Sequence, residues 1–148
     1  MKPTCRPSGL FFLIASAVFV TNCTNKTPSP GTITEQLTGT WVWVQSTGGI
    51  DGRSVTPATE GYKRTITFEK NGVYSEGRDG KQTNQMKYTV SQGKSIYADT
   101  AYLVDYRSSG KEKQPRSIRQ SVRFGGTDTL FLNDECYDCF EHVYARKN

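Results

Sequence analysis

The sequence has little of what catalytic metal sites and membrane-spanning helices require. It contains one histidine, two methionines and two tryptophans among 148 residues. Without a second histidine, zinc catalysis and Ser-His-Asp hydrolysis have little support. The apolar run from Leu10 to Val20 has 11 residues, whereas a spanning helix needs roughly 20. A chain of this length forms one domain, which excludes a multidomain enzyme and a multi-pass membrane protein.

The chain also lacks a large excess of charge of either sign. The whole chain carries 19 basic and 14 acidic residues, a formal net charge of +5. If a leader containing Lys2 and Arg6 is removed, 17 basic residues remain against 14 acidic ones, which leaves +3. This excess is too small to predict binding to nucleic acid, and we expect no nucleic-acid partner.

The first 22 residues have the pattern of a secretion signal. Lys2 and Arg6 precede the apolar run, and Val20-Thr21-Asn22-Cys23 follows it directly. An apolar residue three positions before a cysteine in this place resembles the lipobox of bacterial lipoproteins. The resemblance implies cleavage after residue 22, lipidation of Cys23 with palmitate-type chains, and anchoring in the outer membrane. An ordinary secretion signal with a spare cysteine is the alternative.

The segment from Cys23 to Ile33 is rich in proline, threonine and serine and has no apolar periodicity. Such a composition is typical of a flexible tether. By resemblance, a lipoprotein without an aspartate just after its cysteine goes to the outer membrane. The tether also lacks the acidic cluster of a surface-export signal, which favours the periplasmic face over the cell surface.

From Thr40 onward the pattern is one of short strands and glycine-containing turns. Apolar and polar residues alternate, as expected for strands with one buried face. No stretch of ten or more residues has a clean helical period, and the helical candidate is the single turn Thr34 to Leu37, capped by Thr34. The predicted strands are Thr40 to Gln45, Tyr62 to Phe68, Val73 to Glu76, Met86 to Val90, one long or two short strands in Ser95 to Tyr106, Ile118 to Phe124, Thr129 to Leu132, and Phe140 to Tyr144.

These strands predict an all-β fold, an eight-stranded up-and-down antiparallel β-barrel with a short N-terminal helical turn. Its turns are expected at Lys70 to Gly72, Arg78 to Gly80, Ser91 to Gly93, Ser108 to Gly110 and Gly125-Gly126. The 16 residues from Ser46 to Gly61 are too long for a plain hairpin and predict a lid or binding loop.

Gly39-Thr40-Trp41 opens the first strand after the helical turn, and this Gly-x-Trp resembles the lipocalins and their relatives. In that family the tryptophan closes one barrel end and a basic residue near the chain's end packs over its ring. Arg146 matches that basic residue here. The resemblance covers Ile33 to Arg146, and it implies that residues 34–148 form a lipocalin-like domain, as in small lipoproteins of Gram-negative bacteria.

A barrel of eight strands encloses space for side chains or for one small ligand. We expect a small hydrophobic ligand inside, in a monomer that needs no cofactor or metal and is not an enzyme. The alternative is a structural or protein-interaction module of the cell envelope with a filled barrel core. The residues predicted to line the ligand site are Trp41, Trp43, Phe68, Tyr74 and Tyr88.

Cys136-Tyr137-Asp138-Cys139 is the sharpest local motif. In an oxidising compartment this spacing favours a disulfide that closes the last hairpin turn, with free thiols or a redox pair as alternatives. If Phe140 to Tyr144 is a strand, Cys139 and His142 face opposite sides and do not converge on a metal ion. We therefore expect His142 to be a residue of the sheet face.

The segment from Arg107 to Arg123 is strongly basic, with a single acidic residue, Glu112. It predicts either contact with an anionic partner or a solvated hairpin whose charges protect an exposed strand. Its basic residues are Arg107, Lys111, Lys113, Arg116, Arg119 and Arg123.

Overall fold

The sheet of this protein closes on itself. The computed structural model describes residues 28–108 and 117–148. The predicted signal 1–22, the lipidation site Cys23, residues 24–27 of the tether and residues 109–116 of the basic segment lie outside the described residues. Within them the elements are α1 Pro30–Leu37, β1 Gly39–Gly48, β2 Arg53–Val55, α2 Pro57–Glu60, β3 Arg64–Phe68, β4 Val73–Arg78, β5 Lys81–Gly93, β6 Ala101–Ser108, β7 Ser117–Gly125, β8 Thr129–Asp134 and β9 Phe140–Arg146.

The strands form an up-and-down antiparallel barrel. Each strand from β3 to β9 pairs with its neighbours in chain order, and β1 pairs with both β3 and β9. Eight strands therefore make the closed ring, while β2 pairs only with the last residues of β1. The predicted fold class is confirmed: a closed eight-stranded antiparallel barrel with a short helix on its N-terminal side.

Two of the predicted tight turns have the backbone that a hairpin requires. Gly72 has a φ of 78°, and the pair Asp79 and Gly80 has φ values of 51° and 80°. In the second turn, positive φ at both central residues matches the right-handed twist of the flanking strands; in the first, Gly72 alone adopts the left-handed conformation that glycine tolerates best. Asn71 also accepts the backbone N–H of Val73 through its side chain, which holds the first turn.

The N-terminal helix is longer than the sequence predicted. It begins at Pro30 rather than Thr34, and its N-cap is Ser29, whose hydroxyl accepts the N–H of Thr32. A proline in the first turn suits a helix because its missing N–H has no intrahelical partner there. Residues 30–33, predicted as the end of the tether, therefore belong to α1, and Ile33 packs into the core.

The prediction of a turn at Ser91 to Gly93 was wrong. These residues are the end of β5, where Ser91 pairs with Leu103 and Gln92 with Tyr102. The chain reverses later, over residues 94–100, and β6 begins only at Ala101. Small polar residues resemble a turn locally, but pairing with the neighbouring strand decides their conformation.

The segment from Ser46 to Gly61 has regular secondary structure. β1 continues to Gly48, β2 folds back onto it, and α2 follows with Thr56 as its N-cap and Gly61 in the left-handed region. Gly48 is required here because a Cβ atom would lie 2.1 Å from the carbonyl oxygen of Cys139. The predicted long loop is therefore a short hairpin and one helical turn.

The interior has an apolar half and a polar half. The first half surrounds the start of β1 and the end of β9, where Leu37, Trp41, Phe68 and Leu130 are almost completely buried. In the other half, seven of the eight ring strands carry a polar residue in the inward-facing stripe: Ser46, Arg64, Glu76, Asn84, Gln120, Asp134 and His142. We call the first half the closed end and the second the open end.

Candidate functional site

The closed end is sealed by an indole ring under a guanidinium group. The Arg146 guanidinium carbon lies 4.0 Å from the centroid of the Trp41 ring. The Trp41 Nε1 donates to the carbonyl of Leu37 at 2.8 Å, which ties the plug to the end of α1. Arg146 donates to the carbonyls of Gln36, Thr38 and Thr127, so one side chain satisfies three backbone acceptors and covers the ring.

Gly39 completes this arrangement. Its φ is 126°, a conformation that side-chain-bearing residues rarely adopt, and an added Cβ would lie 3.1 Å from Arg146 Nη1. The structure thus brings together the three residues predicted to close the barrel, Gly39, Trp41 and Arg146.

The candidate functional site is a cavity of about 570 Å³ at the open end. Its lining is polar at the rim and aromatic at the base, which is typical of a site for a small molecule with one polar group. The apolar and aromatic lining residues are Tyr74, Met86, Tyr106, Ile118 and Tyr144. The polar ones are Arg64, Glu76, Asn84, Arg119, Gln120, Asp134, Glu135 and His142.

Arg64 is the central polar residue of this cavity. Its guanidinium carbon lies 5.1 Å from the Trp43 ring centroid and 5.3 Å from that of Tyr144. Nη2 donates to the Tyr144 hydroxyl and, at 3.3 Å, to His142 Nδ1. Two aromatic faces and two acceptors therefore hold the side chain in one orientation.

Ser46, His142 and Asp134 form a hydrogen-bonded chain beside Arg64. Because arginine can only donate, His142 Nδ1 accepts, and the hydroxyl of Ser46 donates to it at 2.6 Å. The other ring nitrogen, Nε2, lies 3.4 Å from Asp134 Oδ2 and carries the proton. The Ser46 oxygen in turn accepts the Trp43 Nε1–H at 2.8 Å, so the chain orients the indole and the imidazole.

A β-bulge creates this chain. Trp43 pairs with Tyr144, but Gln45 pairs with Val143, so Val44 is an extra residue in β1. The bulge reverses the alternation and turns Ser46 rather than Gln45 toward His142. Ser46 is 3% exposed and is not among the residues that line the cavity, so its hydroxyl serves the framework of the site.

Burial and hydrogen bonds shift the pKa values of ionisable groups in the site. Burial alone would raise the pKa of Asp134, but hydrogen bonds from His142 and Gln120 outweigh it and hold that pKa below its usual range. Burial raises the pKa of Tyr74, Tyr106 and Tyr144 above the ordinary value. The three phenols are therefore neutral hydrogen-bonding groups at the base of the cavity.

Tyr106 carries an unsatisfied group. The residue is 2% exposed, and its hydroxyl is buried without a hydrogen-bond partner in the described part of the chain. Arg64 Nε is the second buried side-chain atom without such a partner there. Unpaired buried polar atoms are costly and uncommon, and both of these belong to residues that line the cavity.

Of the five residues predicted to contact a ligand, Tyr74 lines the cavity and the other four do not. Trp41 and Phe68 fill the closed end, and Tyr88 packs edge-on against Phe68 with ring centroids 5.0 Å apart. Trp43 stacks on Tyr62 at 5.9 Å behind Arg64. The predicted aromatic wall is thus largely the filled apolar core.

The residues that sequence reasoning missed lie in the same stripes as those it found. Arg64 shares a face with Ile66 and Phe68, Glu76 follows Tyr74, and His142 precedes Tyr144. A polar residue ending an apolar stripe on adjacent strands is the signal that would have located a polar cavity at one barrel end.

The predicted disulfide between Cys136 and Cys139 is present and spans the connection from β8 to β9. The adjacent turn between β1 and β2 touches this connection, since Gly49 N donates to the carbonyl of Cys139 at 3.2 Å. Glu135, beside the disulfide, accepts the Ser95 hydroxyl at 2.6 Å and the Ile96 N–H at 2.9 Å. Hydrogen bonds from two other connections, β1–β2 and β5–β6, therefore hold the β8–β9 connection in place.

Two basic residues in the described part of the basic segment, both on β7, are paired with carboxylates on other strands. Arg119 lies 2.7 Å from Asp105, and Arg123 lies 3.3 Å from Glu141 and packs over the Phe131 ring. These two pairings favour the solvated-hairpin interpretation for β7. Lys111, Lys113 and Arg116 lie outside the described residues.

The described residues contain neither a membrane-spanning helix nor a cluster of metal ligands. Neither α1 nor α2 is long and apolar enough to cross a membrane. No cluster of three or more histidine, cysteine or acidic residues there could hold a metal ion.

The closed antiparallel barrel with its N-terminal helix is compatible with a lipocalin-like fold. No family model, curated protein or solved structure matched the chain.

Proposed function

We propose that this chain is a non-enzymatic binding protein, anchored by a lipid on Cys23 to the periplasmic side of the outer membrane, that takes a small ligand into its barrel. The observation that carries this proposal is the cavity of about 570 Å³ in one half of a barrel whose other half is filled and sealed. A pre-formed concave site with aromatic walls and a few polar groups is the usual form of a ligand site.

The polar lining changes the expected ligand. The sequence predicted a hydrophobic one, but the apolar half of the interior holds side chains and leaves the polar half open. We therefore propose an amphipathic small molecule, whose apolar body lies against Tyr74, Tyr106 and Tyr144 and whose polar group meets the rim. In free solution the cavity would hold water, and release of that water from aromatic surface would favour binding.

The orientation of the cavity fits a membrane anchor. The Tyr102 hydroxyl donates to the carbonyl of Pro28, so the chain enters the barrel at the closed end, beside α1. Cys23 precedes Pro28 by five residues, a reach of at most about 18 Å. A lipid on Cys23 would therefore hold the closed end near the bilayer and leave the open end facing away from it.

The binding function is tested by native mass spectrometry of the exported protein after mild extraction. We expect a non-covalent small molecule that is lost in Ile118→Trp, where an indole fills the cavity mouth. Val44→Trp, on the exposed bulge of β1, is the matched control and should keep the molecule. If the wild type and both variants all carry nothing, and soaked small molecules do not bind, the binding function is wrong.

The anchor is tested separately. Cells grown with labelled palmitate should label the wild type and not Cys23→Ala, and the labelled protein should fractionate with the outer membrane. A wild type that is exported without label would refute the lipid anchor and leave the binding function standing. Turnover of an ester substrate that is lost in His142→Ala would refute the non-enzymatic part of the proposal.

A protein-interaction module is the second candidate, and two exposed side chains favour it. Ile50 and Tyr137 are 92% and 83% exposed, at the tips of two neighbouring rim connections. Exposed apolar groups at adjacent tips are typical of contact sites. Envelope cross-linking that is lost in Ile50→Ser with Tyr137→Ser, in a protein that carries no small molecule, would support this module instead.

A further inference from the structure

We infer that Arg64 is the ligand-recognising residue of the open-end cavity and that the ligand is a small organic acid with a single carboxylate and an apolar body. This inference rests on the proposed function and names the chemical class of its ligand. It follows from one positive charge that the structure holds in one orientation without a paired carboxylate among the described residues.

Arg64 has no carboxylate partner. No ion pair or hydrogen bond within residues 28–108 and 117–148 joins it to an acidic side chain. Within the described residues its hydrogen bonds use Nη2 alone, toward Tyr144 and His142, while Nε is buried without a partner there. A partly buried cation is costly unless an anion pairs with it, so the position is suited to one that arrives with a ligand.

The acidic groups of the cavity are already engaged. Glu76 accepts the Tyr74 hydroxyl at 2.9 Å, and Asp134 accepts from Gln120 at 2.8 Å and from His142. Glu135 accepts from Ser95 and Ile96 on the neighbouring connection. Arg119, the second cation of the lining, is paired with Asp105. Among the cavity-lining residues that the structure describes, Arg64 is therefore the cation available to a ligand.

The same carboxylates limit the charge of the ligand. Glu76, Asp134 and Glu135 line the cavity with Arg64, so a phosphate dianion would meet three negative groups for one unpaired cation. A carboxylate carries one charge, and its two oxygens match the planar donors of a guanidinium. Among anions that could pair with Arg64, these charges therefore favour a single carboxylate over a phosphate dianion.

The base of the cavity selects the rest of the molecule. Tyr74 and Tyr106 meet edge to face with ring centroids 4.7 Å apart, and Met86 lies beside them in the lining. Aromatic faces and a thioether favour a compact aromatic or aliphatic body. The volume of about 570 Å³ sets the upper limit on its size.

The test compares two probes of equal shape, 2-naphthoate and 2-naphthamide, by titration calorimetry on the exported full chain. We expect the acid to bind the wild type at least about tenfold more tightly than the amide, because charge-assisted hydrogen bonds are stronger than neutral ones. Arg64→Gln should remove this preference, and Arg64→Lys should restore part of it. Arg123→Gln changes the net charge equally on the outer face and should leave the preference unchanged.

A second measurement needs no variant, in case Arg64→Gln fails to fold. In the wild type, 2-naphthoate should shift the Nε–H resonance of the Arg64 guanidinium, and 2-naphthamide should shift it much less. An unchanged Arg64 resonance on saturation with the acid would overturn the inference.

The two proposals fail in different ways. If the acid and the amide bind equally and Arg64→Gln changes neither, the carboxylate inference is wrong and the binding function stands. If neither probe binds and no small molecule is extracted from the protein, the binding function is wrong and the inference falls with it.

Discussion

Arg146 lies flat against Trp41, with its guanidinium carbon 4.0 Å from the ring centroid, although 105 positions separate the two along the chain. The contact joins the first and last strands of the ring at the point where β1 and β9 pair. It therefore seals the closed end and helps to complete the barrel.

Replacing Arg146 with alanine should lower the free energy of unfolding by about 2 kcal/mol, because the indole loses its cover and three backbone carbonyls lose their donor. Urea unfolding measures this loss. Lys87→Ala, at an exposed position of β5, is the matched control and should change stability by less than about 0.5 kcal/mol. Equal stability of the two variants would show that the stacked cation contributes nothing.

Gly39→Ala should destabilise the protein through both strain and contact. Its φ of 126° disfavours a side chain, and the new Cβ would press on Arg146 Nη1. Gly52→Ala is the control: its φ is 62°, and no atom lies within 4 Å of the added Cβ. The free energy of unfolding should fall further for Gly39→Ala, by about 1 kcal/mol or more, since only that variant disturbs the contact between Arg146 and Trp41.

Coupling between these two positions is a separate check. If the new methyl group acts through Arg146, the double variant with Arg146→Ala should lose less stability than the two single losses together. Strict additivity would mean that Gly39 acts through backbone strain alone.

Tyr106→Phe and Tyr144→Phe should have opposite effects on stability. The Tyr106 hydroxyl is buried without a partner, so its removal should leave the free energy of unfolding unchanged or raise it by about 1 kcal/mol. The Tyr144 hydroxyl accepts from Arg64, so its removal should lower that free energy by about 1 kcal/mol. A comparable loss in Tyr106→Phe would show that its hydroxyl is bonded, as by a buried water.

The free energy of unfolding should fall in acid, partly because Asp134 becomes protonated. Its pKa is lower in the folded chain than in the unfolded one, so its contribution is complete above the ordinary aspartate range and is lost as the pH falls through the lower folded value. Unfolding free energies measured from pH 6 down to pH 2.5 should decline less steeply in Asp134→Asn than in the wild type.

Asp51→Asn, on the exposed turn after β1, is the control for this pH series and should follow the wild-type curve. Glu135, whose pKa is also lowered in the folded chain, contributes a decline of the same sign, so Asp134→Asn keeps part of the slope. A curve for Asp134→Asn that coincides with the wild type would remove Asp134 from the acid-sensitive groups.

The alternation of side chains by itself determined the strands and hence the barrel. Stripes such as Trp41 with Trp43, and Ile118 to Phe124, require a buried face on every strand, and short glycine turns allow consecutive strands to pair. Gly39, Trp41 and Arg146 were identifiable because Gly-x-Trp at the first strand and a basic residue near the chain's end resemble the lipocalin pattern. The Cys136–Cys139 pair was equally local, since three residues of separation suffice to close the bridge.

Only the tertiary structure decided which half of the barrel interior is filled by side chains. Barrel closure places Leu37, Phe68 and Leu130 around Trp41, so the aromatic residues predicted as a ligand wall became core instead. Arg64 lies on β3, far in the sequence from Asp134 on β8 and His142 on β9, and a bulge at Val44 directs Ser46 toward His142. Such convergence depends on register and strand pairing across the whole ring, and a local pattern of alternating residues holds no information about either.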